Sequence, residues 1–533
     1  MLGTCINNGS FLQSLITLFD HPKPLSVLKQ IHGVIIASGL SKHHQFASKL
    51  FSIFADLGNV NYTHRLLLHN PSPSVVHWNR VIKLFSASPI PNKSIKVFLE
   101  MQHYGIIPDH YTFPFIVKAS ARLASIKHGM SLHSLVLKSG HELDIFVQNS
   151  LIHMYTSCKD ILNARKVFDE MQQKTIVTWN SMLDGYAKCG DLVKAHEIFK
   201  SMPDKDIVSW SSLIDGYVKS GDYGEALKVF ERMKVGGKPK ANEVTMVSVL
   251  CACSHLGALE QGKSMHRHII KNNLTLNLKL LTSVVDMYAK CGAIEEAVVV
   301  FRSVPKDKTD VFLWNAIIGG LASHGYVQEV LNLFMEMSII RIVPDEITYL
   351  CLLSACAHRG LVKQAWKFFE DLTRSGMKPK SEHYACMIDV MARAGQVEEA
   401  YDFLNRMPLK PTPSMLGALH SGCMSHGRLD LAEILGKQLV EVDPHHDGRY
   451  VGLSNVYAAV KCWDDAKMMR QAMDSIGVKK FPGASYIEIS GALEMFIAHD
   501  KRHPKSTEVY KMVNFILRQM KKDSNCVECS ILY

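Results

Sequence analysis

The chain repeats itself, and no single residue constrains its fold as tightly as that period does. Residues 176–206, IVTWNSMLDGYAKCGDLVKAHEIFKSMPDKD, have an outline that recurs from near the N-terminus to about Pro411, with only its length varying. Within the unit, Met182, Leu183 and Tyr186 stand at helical spacing, and Gly190 offers the left-handed position that ends helices. Asp191 is a good N-cap for a second helix with Leu192, Ala195, Ile198, Phe199 and Met202 on one apolar face, and Pro203 stops it. Such a hairpin cannot bury its apolar face alone, so copies must stack. The implied fold class is all-α, an α-solenoid.

A degenerate copy occupies 9–43, because Ile31-His32-Gly33 through Ser38-Gly39 parallels Leu132-His133-Ser134 through Ser139-Gly140. Shorter copies follow at 44–74, 145–175, 176–206, 278–310 and 381–411. Longer ones lie at 75–109, 110–144, 207–242, 243–277, 311–345 and 346–380. A fixed period overrides any domain count based on length. With 47% hydrophobic and 21% charged residues the composition is that of a folded, soluble protein, and no stretch approaches the roughly 18 apolar residues of a membrane span. The net charge of +10 suits a polyanionic partner without requiring one. The thirteen cysteines lack disulfide-framework spacing, and Cys158, Cys189 and Cys291 recur at one point of the unit, which reads as small buried thiols in a reducing compartment. The opening stretch MLGTCINNGSFLQSLITLFD is poor in acids but has no Arg and no basic n-region, so it carries no legible targeting signal.

Hairpins of this length with W-N near the start and G-x-x-P-D near the end, as VVHWN and GIIPD in 75–109, resemble pentatricopeptide repeats. The cycling of lengths resembles the plant PLS subfamily, over nearly the whole chain. The resemblance implies a right-handed superhelix of stacked helix-turn-helix repeats. A tetratricopeptide array would hold a constant period of about 34 residues and a W-x-x-L-G-x-x-Y signature, and neither is present.

The array is expected to span 44–412, behind an N-terminal segment 1–43. Residues 413–483 resemble the two hairpins of the family's E extension, with Leu416 where a tryptophan is usual. Beyond them Ala484–Ile489 and Leu493–Ile497 alternate at strand period around Gly491, which predicts a small β-hairpin. With Asp500, His503-Pro504 and Tyr510, residues 484–515 resemble the E+ segment, although Ala484 and Tyr486 replace its usual Cys and Trp. Residues 516–533 match nothing and read as a disordered tail.

The fifth residue of each copy falls at the start of its first helix, and the last residue falls in the loop to the next. Stacking brings these two together on the concave side. The pairs are Asn79 with Asp109, Asn149 with Thr175, Asn180 with Asp206, Ser211 with Asn242, Thr282 with Asp310, and Asn315 with Asp345. A carboxamide can complement a pyrimidine edge, while a short hydroxyl leaves room for a purine.

By resemblance to the family's code, Asn with Asp favours U over C, Ser with Asn favours A, and Thr with Asp favours G. The implied target carries U, U, A, G and U under copies 75, 176, 207, 278 and 311, with a pyrimidine under Asn149. Asn and Ser near a helix start are also ordinary N-caps. Capping alone, however, predicts a polar fifth residue everywhere, and the TFP-like copies carry Pro114, Val247 and Leu350 instead. Apolar second residues, among them Val76, Val177, Val208 and Phe312, can sandwich unstacked bases or simply pack the hairpin.

Catalytic constellations are missing. A zinc nucleobase deaminase needs H-x-E and P-C-x-x-C, and none of the 26 histidines is followed two residues later by Glu. The C-x-x-C formed by Cys526 and Cys529 lacks the preceding Pro and reads as a chance pair. There is no P-loop and no G-x-S-x-G elbow. The expectation is a protein with no catalytic residues, metal, cofactor or small-molecule substrate of its own. It is expected to bind single-stranded organellar RNA as a site-recognition factor for C-to-U editing and to recruit a deaminase-bearing pentatricopeptide repeat protein or editing cofactor through the E and E+ regions; the alternatives are an organellar RNA splicing or stability factor and a protein-binding solenoid scaffold like a tetratricopeptide array. The expected compartment is the mitochondrion, with the chloroplast as the alternative.

Overall fold

The computed structural model describes residues 24–40, 44–70, 72–237, 239–478, 483–489, 492–497, 501 and 504–523. They fall into two compact units, Met1–Asp222 with Val229–Lys240, and Tyr223–Lys228 with Ala241–Tyr533. Each unit is a stack of helical hairpins. In the reference copy the helices are Ile176–Lys188 and Leu192–Ser201. The first begins before Trp179 because the Thr175 hydroxyl accepts the Thr178 N–H and caps it. Gly190 takes φ +79°, the left-handed conformation expected of it. Asp191 then accepts the Lys194 N–H at 3.1 Å, and the chain turns extended at Met202, ahead of Pro203.

Within each unit the first helices of consecutive copies pack side by side, and second helices such as Ile161–Glu170, Leu192–Ser201 and Ile294–Ser303 lie against their own first helix and the first helix of the next copy. Two side-chain joints recur where a second helix meets its neighbour. Phe168 meets Trp179 edge-on at 5.0 Å, Phe199 meets Trp210 at 4.8 Å, and in the other unit Phe301 meets Trp314 at 4.8 Å. Each such pair contributes about 0.5–1.5 kcal/mol beyond the area it buries. The second joint is a hydrogen bond between a histidine Nδ1 and the hydroxyl of the next copy's tyrosine, as between His133 and Tyr155 at 2.8 Å and between His266 and Tyr288 at 3.1 Å. His32 bonds a different tyrosine, Tyr62 at 2.7 Å, which lies on the second helix of the next copy, Val60–Leu68, because the position of Tyr155 holds Phe54 there.

First helices approach closely where one of them carries glycine. A Cβ at Gly185 would collide with Thr156, and one at Gly320 with Ala289. The glycines in these helix interiors therefore set the spacing of the row, despite their cost of about 1 kcal/mol each in helix propensity.

Beyond the array two further hairpins run Pro413–Ser425 with Leu429–Val442, and Asp447–Ala459 with Trp463–Ser475. Leu416 is buried and serves as a core residue. The strands β1 (Ala484–Ile489) and β2 (Ala492–Ile497) pair antiparallel with Ala484 opposite Ile497 and Ile489 opposite Ala492, as the alternation predicts. Gly491, Asp500, His503, Cys526 and Cys529, and residues 9–23 and 41–43 of the expected first copy, lie outside the described residues.

Two expectations are corrected. A helix, Ser506–Asp523, runs straight through the 515/516 boundary, so the tail read as disordered is helical to Asp523. Its exposed Val509, Met512, Val513, Ile516, Leu517 and Met520 stand at helical spacing, a period overlooked in the sequence reading. The recurrent cysteines are not buried: Cys189 is exposed, and Cys158 and Cys291 are half-buried. All three are C-cap residues, where the first helix ends and the chain leaves the core. The buried thiols are Cys253, Cys356 and Cys423, inside helices.

Candidate nucleic-acid interface

The last residue of a copy caps the next first helix. Because first helices lie side by side, that cap comes to rest against the fifth residue of the preceding one. Asp206 holds an extended backbone and accepts the Ser209 N–H at 2.9 Å. The same oxygen accepts from Asn180 Nδ2 at 3.1 Å. Asn79 donates to Asp109 at 2.9 Å, and Asn315 to Asp345 at 2.9 Å. Three of the predicted pairs are thus direct contacts.

A third side chain, unforeseen from the sequence, completes each of them. The hydroxyl of Thr112 donates to Asn79 Oδ1 at 2.7 Å, that of Ser209 to Asn180 Oδ1 at 2.7 Å, and that of Thr348 to Asn315 Oδ1 at 2.7 Å. The three asparagines are between 7% and 9% exposed. Burial opposes ionisation of Asp109 and Asp206, but their hydrogen bonds outweigh it. The Asn79 side chain and the Thr112 N–H hold the Asp109 carboxyl below the usual carboxylate range, and the Ser209 N–H and Asn180 do the same for Asp206.

The other pairs differ. Thr175 is the cap in front of Thr178, and Asn149 Oδ1 is buried with no hydrogen-bond partner among the described residues. Thr282 donates back to the Leu278 carbonyl at 2.8 Å, and Asp310 caps at Leu313. Ser211 donates to the Ile207 carbonyl at 2.7 Å in one unit, and Asn242 caps at Thr245 in the other. Capping therefore accounts for the last residue of these copies. It does not account for the fifth, which lies one turn inside the helix and caps nothing.

The second residues do not pack the hairpins. Val76, Tyr111, Phe146, Val177, Val208, Val244, Phe312 and Ile347 are all between 50% and 73% exposed. An apolar residue held in water at the same point of eight copies has no folding role there. In the first unit a groove runs past Phe115, Phe146, Asn149 and Val177, with Lys83, Lys118 and His153 along it. Lys83, Lys118 and His153 share the ninth position of consecutive copies. Among the described residues neither Lys83 nor Lys118 has a carboxylate partner. Burial first, and then Lys188 and Lys118 against the opposing Asp184, pushes His153 below the ordinary imidazole range. In other copies that position is acidic and neutralises a cation one turn on, as in Asp184 with Lys188 at 2.6 Å and Asp286 with Lys290 at 2.9 Å.

A pentatricopeptide repeat-containing protein of Arabidopsis thaliana is 59% identical over 510 residues, 95% of this chain and 96% of that protein. The chain belongs to the pentatricopeptide repeat family. Sequence profiles of the single pentatricopeptide repeat match 149–176, 177–207, 208–237, 280–308, 347–377 and 382–410, and a repeat-family profile matches 309–358. The 177–207 match encloses Asn180 and Asp206 together. An E motif profile matches 426–488, starting and ending later than the 413–483 read from the sequence.

Further pentatricopeptide repeat relatives in Arabidopsis thaliana include a mitochondrial protein, 37% identical over 88% of this chain and 69% of its own length, and the chloroplastic ELI1, 35% identical over 96% and 80%. The maize pentatricopeptide repeat protein PPR10, solved in complex with an 18-nt psaJ RNA element, aligns with a TM-score of 0.41 at 16% identity over 88% of this chain and 79% of its own. Among the described residues no group of His, Cys, Asp and Glu could hold a metal ion, and no helix is long and apolar enough to cross a membrane.

Proposed function

We propose that this pentatricopeptide repeat protein binds single-stranded RNA by sequence, one base per copy. In this reading it marks a site for C-to-U editing in organellar transcripts and recruits a deaminase in trans through its E and E+ regions. The observation that carries the reading is the pairing of an exposed apolar second residue with a hydrogen-bonded Asn–Asp couple in the same copy. A base can stack on Val76, Val177 or Phe312 while its edge meets Asn79 with Asp109, Asn180 with Asp206, or Asn315 with Asp345.

The chemistry of the couple favours U over C. Asn Nδ2 spends one hydrogen on the aspartate and keeps one donor, and an ionised carboxylate only accepts. Uracil offers a carbonyl to the donor and an N–H to the carboxylate. Cytosine has an amino group and a bare nitrogen at those places. The cations Lys83 and Lys118 suit the phosphates of the same strand. The E motif at 426–488 supports the editing role, and mitochondrial and chloroplastic relatives support an organelle, the mitochondrion being the first choice.

Selection of RNAs on the purified protein should recover U, U, A, G and U in the order of copies 75, 176, 207, 278 and 311. Organellar transcripts from a plant lacking the protein should lose C-to-U conversion at one or a few sites. Intact editing with failed splicing or RNA decay would refute the editing role and leave RNA binding standing.

A further inference from the structure

The hydroxyl that closes each Asn–Asp couple has no role in the reading above, and its distribution along the chain is not that of a capping residue. It sits at the third position of the copy that follows the asparagine. Every copy with Asn at its fifth position is followed by a hydroxyl there: Asn79 by Thr112, Asn149 by Thr178, Asn180 by Ser209, and Asn315 by Thr348. After Ser48, Pro114, Val247, Thr282 and Leu350 the third residues are His77, Val147, Leu280, Leu313 and His383, and only Ser211 is also followed by a hydroxyl, Thr245. Capping does not demand it. Asp144 caps its helix with Val147 at the third position, and Asp310 does so with Leu313.

We infer that Thr112, Ser209 and Thr348 are positioning residues that set base specificity, by fixing which face of the asparagine amide meets the RNA. This rests on the proposed reading of bases by the Asn–Asp couples. Asn79 Oδ1 and Asp109 Oδ1 are both acceptors, and both lie within reach of one hydroxyl, at 2.7 and 2.9 Å from Thr112 Oγ1. The same holds at Ser209, 2.7 and 2.9 Å, and at Thr348, 2.7 and 3.0 Å. The hydroxyl oxygen is itself held by the aspartate's own N–H, at 3.0 Å from Asp109 and 3.1 Å from Asp345. Asp109 Oδ1 already accepts from Asn79 Nδ2 and from the Tyr111 and Thr112 N–H groups, and the amide oxygen is the nearer acceptor, so the single hydroxyl proton is assigned to the amide oxygen and screens it from the carboxylate.

Without that proton the two oxygens repel, and the buried Oδ1 loses its partner. The amide then turns over or swings out, and presents an acceptor as readily as a donor. An asparagine locked as donor distinguishes uracil from cytosine. One free to turn reads both alike.

The chain contains its own open case. At Asn149 the cap is Thr175 in place of Asp, and the Thr178 hydroxyl lies 3.1 Å from both Thr175 Oγ1 and Thr175 N. Asn149 Oδ1 is left buried without a partner. The amide there is unfixed, so this copy accepts either pyrimidine.

The test compares full-length wild type with Thr112→Val, Thr112→Ser, Ser209→Ala and Thr348→Val. Affinities are measured for RNA oligonucleotides that differ only by U or C beneath the altered couple. The wild type and Thr112→Ser should prefer U. Thr112→Val and Thr348→Val should lose at least about fivefold of the U-to-C ratio at their own position, chiefly by gaining C, with the ratio at the other couples unchanged. Ser209→Ala removes only one atom, so it tests the inference in a copy whose fold is least disturbed.

A wild type that prefers U, together with folded variants that prefer it equally, overturns the inference alone. A wild type indifferent to the base at all three couples overturns the reading and the inference with it.

Discussion

Copies 145–175 and 176–206 are neighbours built on one plan, and they differ at the point that matters. In the first, Phe168 packs edge-on against Trp179, and Lys174 donates to the Met171 carbonyl while lying over the Phe168 ring at 5.1 Å. In the second, Phe199 packs on Trp210, and Lys205 donates to the Met202 carbonyl while lying over Phe199 at 5.3 Å. The joints match group for group. Yet Asn180 is locked between Asp206 and Ser209, while Asn149 faces Thr175 with its oxygen unpartnered. The packing and the asparagine's setting are therefore separable: a copy can keep its aromatic joint and change the partners of its fifth residue through a single cap residue, and in the proposed reading that alters the base it accepts.

The largest effect should come from breaking what the two copies share. Phe199→Ala removes a buried ring from the joint and should cost about 3–5 kcal/mol of stability in a denaturant titration. A loss below about 1 kcal/mol would mean that the aromatic joint does not hold adjacent copies together.

Converting the open copy into the closed one comes next. Thr175→Asp restores a carboxylate in front of Thr178, and should turn Asn149 from a reader of either pyrimidine into one that prefers U by about tenfold, roughly 1.4 kcal/mol, the lower part of the range for a good base contact. Equal binding of U and C by this variant would show that the carboxylate is not what separates the two copies.

Much of this was legible in the sequence, and the reason is periodicity. Gly190, Asp191 and Pro203 mark helix ends through backbone rules that act locally, so the hairpin could be read before any contact was known. The Asn–Asp couples could be read because their positions recur. Thr112, Ser209 and Thr348 were missed because a threonine or serine three residues past a cap also reads as a capping-box partner. Only the lateral packing of first helices brings it to the preceding asparagine. The ninth-position row was missed for a similar reason. Lys83, Lys118 and His153 lie far apart in sequence, and their alignment appears when the helices are stacked.

That alignment supplies the third prediction. Lys83→Ala and Lys118→Ala should weaken binding to all RNA sequences alike. Each should also flatten the dependence of log affinity on log salt by about 0.7, the slope per phosphate contact on a single strand. Lys188→Ala removes a cation already paired with Asp184, and should change that slope less. Equal effects from all three would mean that the acidic ninth residue does not distinguish the copies.

The smallest effect expected is that of pH, and its sign follows from the couples. Asp109 and Asp206 are held below the usual carboxylate range, so their folded values lie below their unfolded ones. A depressed carboxyl contributes fully at pH above its unfolded value, about 3.9, and its contribution is lost as pH falls through the folded value. The U-over-C ratio beneath Asn79 and Asn180 should therefore stay constant from pH 8 down to about 5. His153 is already held neutral by burial and by Lys188 and Lys118, so it adds no charge to the groove in the upper part of that window. Total affinity should accordingly be flat from pH 8 to about 6.5, measured with one RNA at fixed ionic strength. A U-over-C ratio that changes between pH 7 and 5 would place a histidine in the discrimination, which the proposed reading assigns wholly to an amide, a carboxylate and a hydroxyl.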